Sequence, residues 1–390
     1  MVKPFRLSRI PRILFRNGAI NDLPAIAESY GKNLVLVTGT RSFAASDRAD
    51  HLRGQLIARG VEIYQVTVAG EPSPVLVDES VRQLKEAGIS LVVSIGGGSV
   101  MDTGKAISAM LTTDGSVTEY LEVIGTREHS GTKVPFIAVP TTSGTGSEAT
   151  RNAVISQVGK DGFKRSLRHD NFVPDLAIVD PGLTLNCPPE ITAAAGMDCF
   201  TQLAEAYLSD KSGALTGALA VDGLRAVSRS LLRAFTDGDD IEARSDMSYA
   251  ALMSGICLAN AGLGAVHGLA GTIGALFGIP HGVACGTLMA PANELNVREL
   301  RRMNNQETVL AKYASLGRIF ADASEKNDSY YIDFFIDYLR AVTYRLNLPD
   351  LAFYGLHRED LSEIASNSDC KNNPVSLSEE QMLEILLKRI

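Results

Sequence analysis

Two of the six histidines in this 390-residue chain, His267 and His281, lie in one stretch of small and apolar residues, GAVHGLAGTIGALFGIPHGVACG, from Gly264 to Gly286. A histidine in such surroundings either hydrogen-bonds within a core or ligates a metal. The spacing leaves both open. On one straight helix the two imidazoles would lie about 21 Å apart, at about 1.5 Å per residue. They meet at one ion only if the chain turns back between them, and Gly278-Ile279-Pro280 is a place for that turn. The plainer alternative is two unrelated histidines, one in the core and one in a turn. A carboxylate upstream raises the same question. In AAGMDCFTQLAEAY, residues 194–207, a helix would set Asp198 and Gln202 one turn apart on one face. Asp198 sits among apolar residues, where an unpaired carboxylate is costly. A cation, a helix-cap position or a buried ion pair would each satisfy it.

Two loops in the first half could hold a ligand. The apolar run at 90–95 enters Gly96-Gly97-Gly98-Ser99, with a helix expected from about Met101-Asp102. Glycines there let backbone N–H groups approach a phosphate at a helix N-terminus. The segment is not GxGxxG, and a tight turn needs glycine too. The run at 134–139 enters PTTSGTGSE, residues 140–148, a hydroxyl-rich loop at a strand's carboxyl end, where open α/β sheets bind ligands. A solvated Ser/Thr loop is the alternative. Two such loops at neighbouring strand ends favour a nucleotide more than either alone.

The elements that must position these residues fall into two groups. Strands are expected at 33–39, 61–68, 90–95, 134–139 and 176–179, with an additional one at 12–15, and helices at 47–59 and 75–87. Alternating strands and helices imply a doubly wound, mainly parallel, Rossmann-like sheet. From Pro189 onward the periodicity is helical, at 190–207, 213–235, 241–260, 307–323, 331–346 and 378–388, with no convincing strand. The expected division is an α/β dinucleotide-binding domain, 1–185, and an all-helical metal and substrate domain, 186–390, a size that two cores suit. Segments 324–329 and 366–373 read as surface loops.

Composition excludes several classes. The formal net charge is −8 and no Lys/Arg cluster stands out, which argues against nucleic-acid and anionic-membrane partners. No apolar run reaches the roughly 20 residues of a membrane span. The start, MVKPFRLSRIPRILF, lacks a signal-peptide core. The five scattered cysteines, with no CxxC, fit reduced thiols in a cytoplasm.

Taken in order, GGGSVMDTGK, PTTSGTGSE, LAIVDP, GMDCFTQLAEAY and H-(x)13-H-G resemble the iron-containing, or group III, alcohol dehydrogenase family over nearly the whole chain. The resemblance implies the dehydroquinate synthase-like superfold and an active site in the cleft between the two domains. It further implies NAD(P)-linked oxidation of an alcohol or reduction of an aldehyde or ketone, and a homodimer paired through its N-terminal domains, with 12–15 a candidate edge strand. By motif match Gly97, Gly98 and Ser99 would hold the pyrophosphate, with Asp102 nearby. Thr141, Thr142, Thr145, Ser147, Lys164 and Leu183 would line the cofactor, with Gly39 and Ser73 as further cofactor positions. Asp198, His267 and His281 occupy three metal-ligand positions and would act through a divalent metal, zinc or iron.

Three departures from the family pattern matter. Gln202 stands where the iron site has a histidine, so it would lend an amide oxygen or act from behind the ligands. Gly271 stands where a further histidine usually follows. An aspartate and two histidines with an open position still suit zinc. Gly39 stands where NAD-specific relatives carry an aspartate, followed by Thr40, Arg41 and Ser42. Without that carboxylate, NADPH is the expected cofactor or both are accepted. The alternatives are a metal-free reductase of the maleylacetate reductase type, a dehydroquinate synthase-like lyase, and a non-catalytic nucleotide-binding protein.

Overall fold

The six strands of the main sheet are parallel because each is followed by a crossover long enough to return the chain to the starting edge. The computed structural model describes residues 5–40, 43–370 and 372–390. Its strands are β1 (Arg12–Phe15), β2 (Asn33–Gly39), β3 (Glu62–Val68), β4 (Leu91–Gly96), β5 (Phe136–Pro140), β6 (Asn152–Gln157), β7 (Phe163–Arg168) and β8 (Leu176–Val179). The sheet order is β1-β8-β5-β4-β2-β3. Helices α1 (Leu23–Glu28), α2 (Asp47–Ala58), α3 (Pro74–Leu84) and α4 (Gly98–Met110) belong to the same unit.

Both faces of this sheet are buried, and the alternation of β2 shows how. Leu34 and Leu36 point to one side, where they pack with Leu52, Leu56 and Ile95. Val35 and Val37 point to the other, with Val77, Ile107 and Met110. Period-2 alternation with apolar residues on both faces gives a continuous apolar run rather than a half-polar one. From β2 the chain steps outward to β3 and returns to β4 on the opposite side. The order therefore reverses between β2 and β4, and the carboxyl ends of those strands, at Gly39 and Gly96, flank the switch-point crevice.

Some boundaries differ from the sequence expectation. α4 starts at Gly98, with Gly97 as its N-cap, so the helix begins within the glycine loop, three residues earlier than expected. The antiparallel pair β6–β7, with Asn152 opposite Arg168 and Gln157 opposite Phe163, was not anticipated. β1 pairs in parallel with β8 through Arg12 and Leu176 and forms one edge of the sheet.

Among the described residues, the second compact unit comprises those from Pro188 onward, 158–161 and 5–7. Its helices are α5 (Pro189–Leu208), α6 (Ala214–Thr236), α7 (Ile241–Ala261), α8 (Ala265–Phe277), α9 (His281–Arg302), α10 (Glu307–Phe320), α11 (Asp328–Arg345), α12 (Leu361–Ser366) and α13 (Glu379–Leu387). α5 is the axis of this unit. It packs against α6, α7, α9 and α10, and Met197, Phe200, Leu203 and Ala206 are fully buried. Among the described residues no single helix is long and apolar enough to cross a membrane.

Segment 366–373, expected as a surface loop, exposes Ser366, Asn367 and Asp369, and its described end is tied down. Asn373 accepts from the Ala265 N–H at the start of α8 and donates to Asn296 Oδ1 at 2.8 Å, while Asn372 donates to the Leu263 carbonyl. A Cβ on Gly268 would lie 1.8 Å from the Asp369 carbonyl oxygen, so α8 can lie this close to the segment only with glycine there.

Candidate active site

A carboxylate in the middle of a buried helix has no cap position to satisfy it. Asp198 is such a group, ten residues into α5 and 2% exposed. Gln202 and Glu205 follow one and two turns later on the same face, both buried. What faces this polar stripe comes from α8 and α9. α8 ends at Phe277 because Gly278 adopts the left-handed conformation, φ 66°, and its N–H bonds back to Gly274. Pro280 then caps α9, which begins at His281. The chain turns back where the sequence allowed it, and the imidazole centroids of His267 and His281 lie 5.4 Å apart.

His267 Nε2 lies 3.2 Å from Asp198 Oδ1, and His281 Nε2 lies 3.8 Å from the same oxygen. On its other side His267 Nδ1 meets Glu205 Oε2 at 2.6 Å. The second Glu205 oxygen accepts from the Val266 N–H at 2.8 Å, in the first turn of α8. Glu205 thus fixes the ring, with Nδ1 as donor and Nε2 turned toward Asp198, the arrangement that orients metal-ligating histidines. Burial would lower the His267 pKa, but Cys285, Glu205 and Asp198 outweigh it and hold it well above the ordinary histidine range. Burial would likewise raise Asp198, and His281 and His267 outweigh it and hold the carboxyl low. Two buried carboxylates converging on imidazoles require positive charge among them. A proton on His267 supplies it in the protein alone, and a divalent cation fits the same need.

Cys285 joins the cluster from α9, one turn beyond His281, with Sγ 3.7 Å from His281 Nε2. One donor atom from each of Asp198, His267, His281 and Cys285 lies within 4.8 Å of the other three. Burial pushes the Cys285 thiol up to about 11. Gln202 lies beside the cluster, where its Nε2 donates to Asp198 Oδ1 at 3.3 Å and its buried Oε1 accepts no hydrogen bond. A Cβ on Gly271 would meet no atom within 4 Å.

The expected dinucleotide residues gather in the α/β unit. The N–H groups in the first turn of α4, at Gly98 and Ser99, have no side-chain cap, which leaves them for an anion. A Cβ on Gly98 would come 2.8 Å from Thr145 Cγ2, and one on Gly97 3.4 Å from Thr142 Oγ1, so the two loops touch only because glycines intervene. Beneath them Lys105, 1% exposed, donates to the Ser147 carbonyl, Ser147 Oγ, Thr150 Oγ1 and the Asn152 carbonyl, all within 3.0 Å. Asp102 accepts from Ser147 Oγ at 2.5 Å and from the Val154 N–H at 3.0 Å. Its carboxylate thereby ties α4 to Ser147 and to β6. Burial pushes Lys105 down to about 8, resisted by Asp102 and Glu148, and pushes Glu148 up to about 7. Thr141 is buried just after β5, and Leu183 packs on the sheet face that carries Leu34 and Leu36. Ser73 caps α3 by accepting from the Leu76 N–H. Lys164, on β7, is paired with Glu71 at 2.9 Å. Gly39 ends β2, and a Cβ there would meet only Val100 Cγ2, at 3.8 Å. Arg41 lies outside the described residues.

Sequence reasoning missed Glu205 and Cys285. The signals were present: Glu205 is seven residues after Asp198, and Cys285 is four after His281, each on the same helix face as the residue it accompanies.

The profile of the iron-containing alcohol dehydrogenases matches residues 11–181, and that of the C-terminal domain of the Fe-containing alcohol dehydrogenase family matches residues 192–390. Alcohol dehydrogenase 4 of Saccharomyces cerevisiae is 32% identical over 387 residues, covering 97% of this chain and 96% of that protein. An NADPH-dependent butanol dehydrogenase of Clostridium saccharobutylicum is 29% identical, covering 96% of each. The crystal structure of a 1,3-propanediol oxidoreductase superposes with a TM-score of 0.90 at 26% identity, covering all of both chains. With these relatives, the cluster of Asp198, His267, His281 and Cys285 defines a nicotinamide- and metal-dependent alcohol/aldehyde oxidoreductase. The chain belongs to the iron-containing alcohol dehydrogenase family.

Proposed function

We propose that Asp198, His267 and His281 hold a divalent ion, zinc in preference to iron, and that the enzyme interconverts an alcohol and its aldehyde or ketone with NADPH as the favoured cofactor. The observation that carries this reading is the convergence of two imidazole nitrogens on one oxygen of a buried carboxylate, at 3.2 and 3.8 Å. Once bound, the ion supplies a Lewis acid for the substrate oxygen while the nicotinamide carries the hydride. The chain's own residues do the positioning. Glu205 keeps His267 in the ligating tautomer, Asp198 supplies the anionic charge, and Gln202 Oε1 offers an acceptor to a hydroxyl. The helix start at Gly98-Ser99 takes the pyrophosphate, and Thr142 and Thr145 flank it. Open space at Gly271 favours substrates larger than ethanol.

NADPH preference follows from Gly39. With no carboxylate at the end of β2, a 2′-phosphate meets no repulsion, and Arg41 is its expected partner. The NADPH dependence stated for the Clostridium relative supports this. The exposed edge of β1, where Ile13 is 39% accessible, supports a homodimer in which a second copy covers that edge. A reducing, cytoplasmic setting fits five cysteines of which no two are disulfide-bonded.

The test is NADPH and NADH oxidation across an aldehyde and ketone panel, with metal analysis of the same preparation. His267→Ala and His281→Ala are expected to lose metal and turnover while NADPH binding persists. A metal-stripped protein that keeps its turnover, with an active His267→Ala, would refute the metal role. A kcat/KM for NADH about tenfold above that for NADPH would refute the cofactor preference.

A further inference from the structure

We propose that Cys285 is a fourth protein ligand, as its thiolate, to the ion held by Asp198, His267 and His281, with the substrate oxygen entering as a fifth ligand as the coordination expands. The inference rests on the metal reading above and adds a donor that the ligand positions of the sequence did not contain. α9 begins at His281, so Cys285, one turn later, presents its sulfur alongside the His281 imidazole. The distances match a single ion. Ligands at about 2.0–2.1 Å for nitrogen and oxygen and about 2.3 Å for sulfur, at tetrahedral angles, give edges of about 3.3 Å between N and O and about 3.5 Å between N and S. The corresponding separations are 3.2 and 3.8 Å from the Asp198 oxygen to the two imidazoles, and 3.7 Å from sulfur to His281 Nε2. All four donors lie within 4.8 Å of one another, close enough to surround one ion.

Gln202 does not compete for this place. Its amide nitrogen, which has no lone pair to give, is the atom facing Asp198. Its oxygen, on a residue 2% exposed, accepts nothing and remains for a ligand's hydroxyl. A bound cation holds a coordinated thiol as the thiolate through its own charge. An oxygen, two nitrogens and one soft sulfur suit zinc or cobalt(II) better than a site built from imidazole and carboxylate alone. The sulfur would therefore bias this chain toward zinc.

The full-length protein, stripped of metal and titrated with cobalt(II) chloride, tests this directly. The wild type is expected to develop an intense near-ultraviolet thiolate-to-cobalt charge-transfer band that saturates at one cobalt per chain. Cys285→Ser and Cys285→Ala are expected to lose that band while still binding NADPH, which shows that they fold. Their zinc affinity should fall by at least the 10–100-fold that loss of even a supporting partner costs. Wild-type cobalt protein with visible d–d bands but no charge-transfer band would overturn the thiolate ligand and leave the Asp/His site standing. Wild type that binds neither cobalt nor zinc would overturn both.

Discussion

Glu205→Gln isolates the group that sets the His267 tautomer. The substitution keeps the shape of a side chain that is 7% exposed and bonded on both oxygens, to the Val266 N–H at 2.8 Å and His267 Nδ1 at 2.6 Å. An amide has only one acceptor oxygen. If that oxygen stays on the Val266 N–H, the NH2 faces Nδ1, which must become the acceptor. The ring proton then moves to Nε2, the atom aimed at Asp198 and the ion. If the amide flips, its NH2 opposes the Val266 N–H and a buried donor is left unpaired, a cost of about 1–3 kcal/mol. Either way the ligating form of His267 is penalised. Loss of such an orienting partner costs about 10–100-fold in metal affinity, or about 1.4–2.7 kcal/mol. Zinc affinity measured by competition with a chromophoric chelator should fall by that factor, with NADPH affinity unchanged. A zinc affinity within about twofold of wild type would show that Glu205 does not hold the ring through its charge.

Three further outcomes follow from neighbouring features. Gly39→Asp introduces a carboxylate where a Cβ meets only Val100 at 3.8 Å, so the strand accommodates it. Repulsion of about 0.7–3 kcal/mol between unit charges roughly 6 Å apart should move the NADPH:NADH ratio of kcat/KM toward NADH by about 3- to 150-fold, and an unchanged ratio would remove Gly39 from cofactor choice. Gln202→His adds an imidazole beside Asp198 and should raise iron(II) affinity by an amount on the order of 10–100-fold; equal iron binding in equilibrium dialysis would contradict this. Glu148, buried beside Lys105, has its pKa raised from 4.5 to about 7, so the folded state holds the extra proton across that window and stability falls as pH rises through it. Urea midpoints of Glu148→Gln between pH 4.5 and 7 should lack that fall, and a slope equal to wild type would place the titration elsewhere.

The sheet was legible because its central strands β2, β4, β5 and β8 are dominated by buried apolar residues, and 33–39 and 176–179 coincide with β2 and β8. The β6–β7 hairpin was not, because β7, FKRSLR, carries three cations and its only fully buried residue is Leu167. Its inward face is too short to show a period. The turn at 278–280 could be read from Gly-Ile-Pro, but which groups it brought to Asp198 could not. Glu205 lies 62 residues from His267 in sequence, and their contact depends on where the fold brings the first turn of α8 against α5. Cys285 was passed over because cysteine in an apolar helix is ordinarily a core residue. Only the coincidence of its sulfur with two imidazoles and a carboxylate gives it a chemical reading. Asp102 shows what a motif leaves out: the match set it near the cofactor, and the partners of its carboxylate, Ser147 and Val154, became visible only in the fold.

The most direct test is a metal titration of the wild-type enzyme. The protein is stripped with a chelator, its metal content is checked by elemental analysis, and zinc is returned in substoichiometric steps while NADPH oxidation is followed with the best aldehyde of the panel. Turnover should be absent without metal and rise linearly to a plateau at one ion per chain. Full turnover in protein with no detectable metal, unchanged by added zinc or iron, would contradict the account and leave His267 and His281 as structural residues.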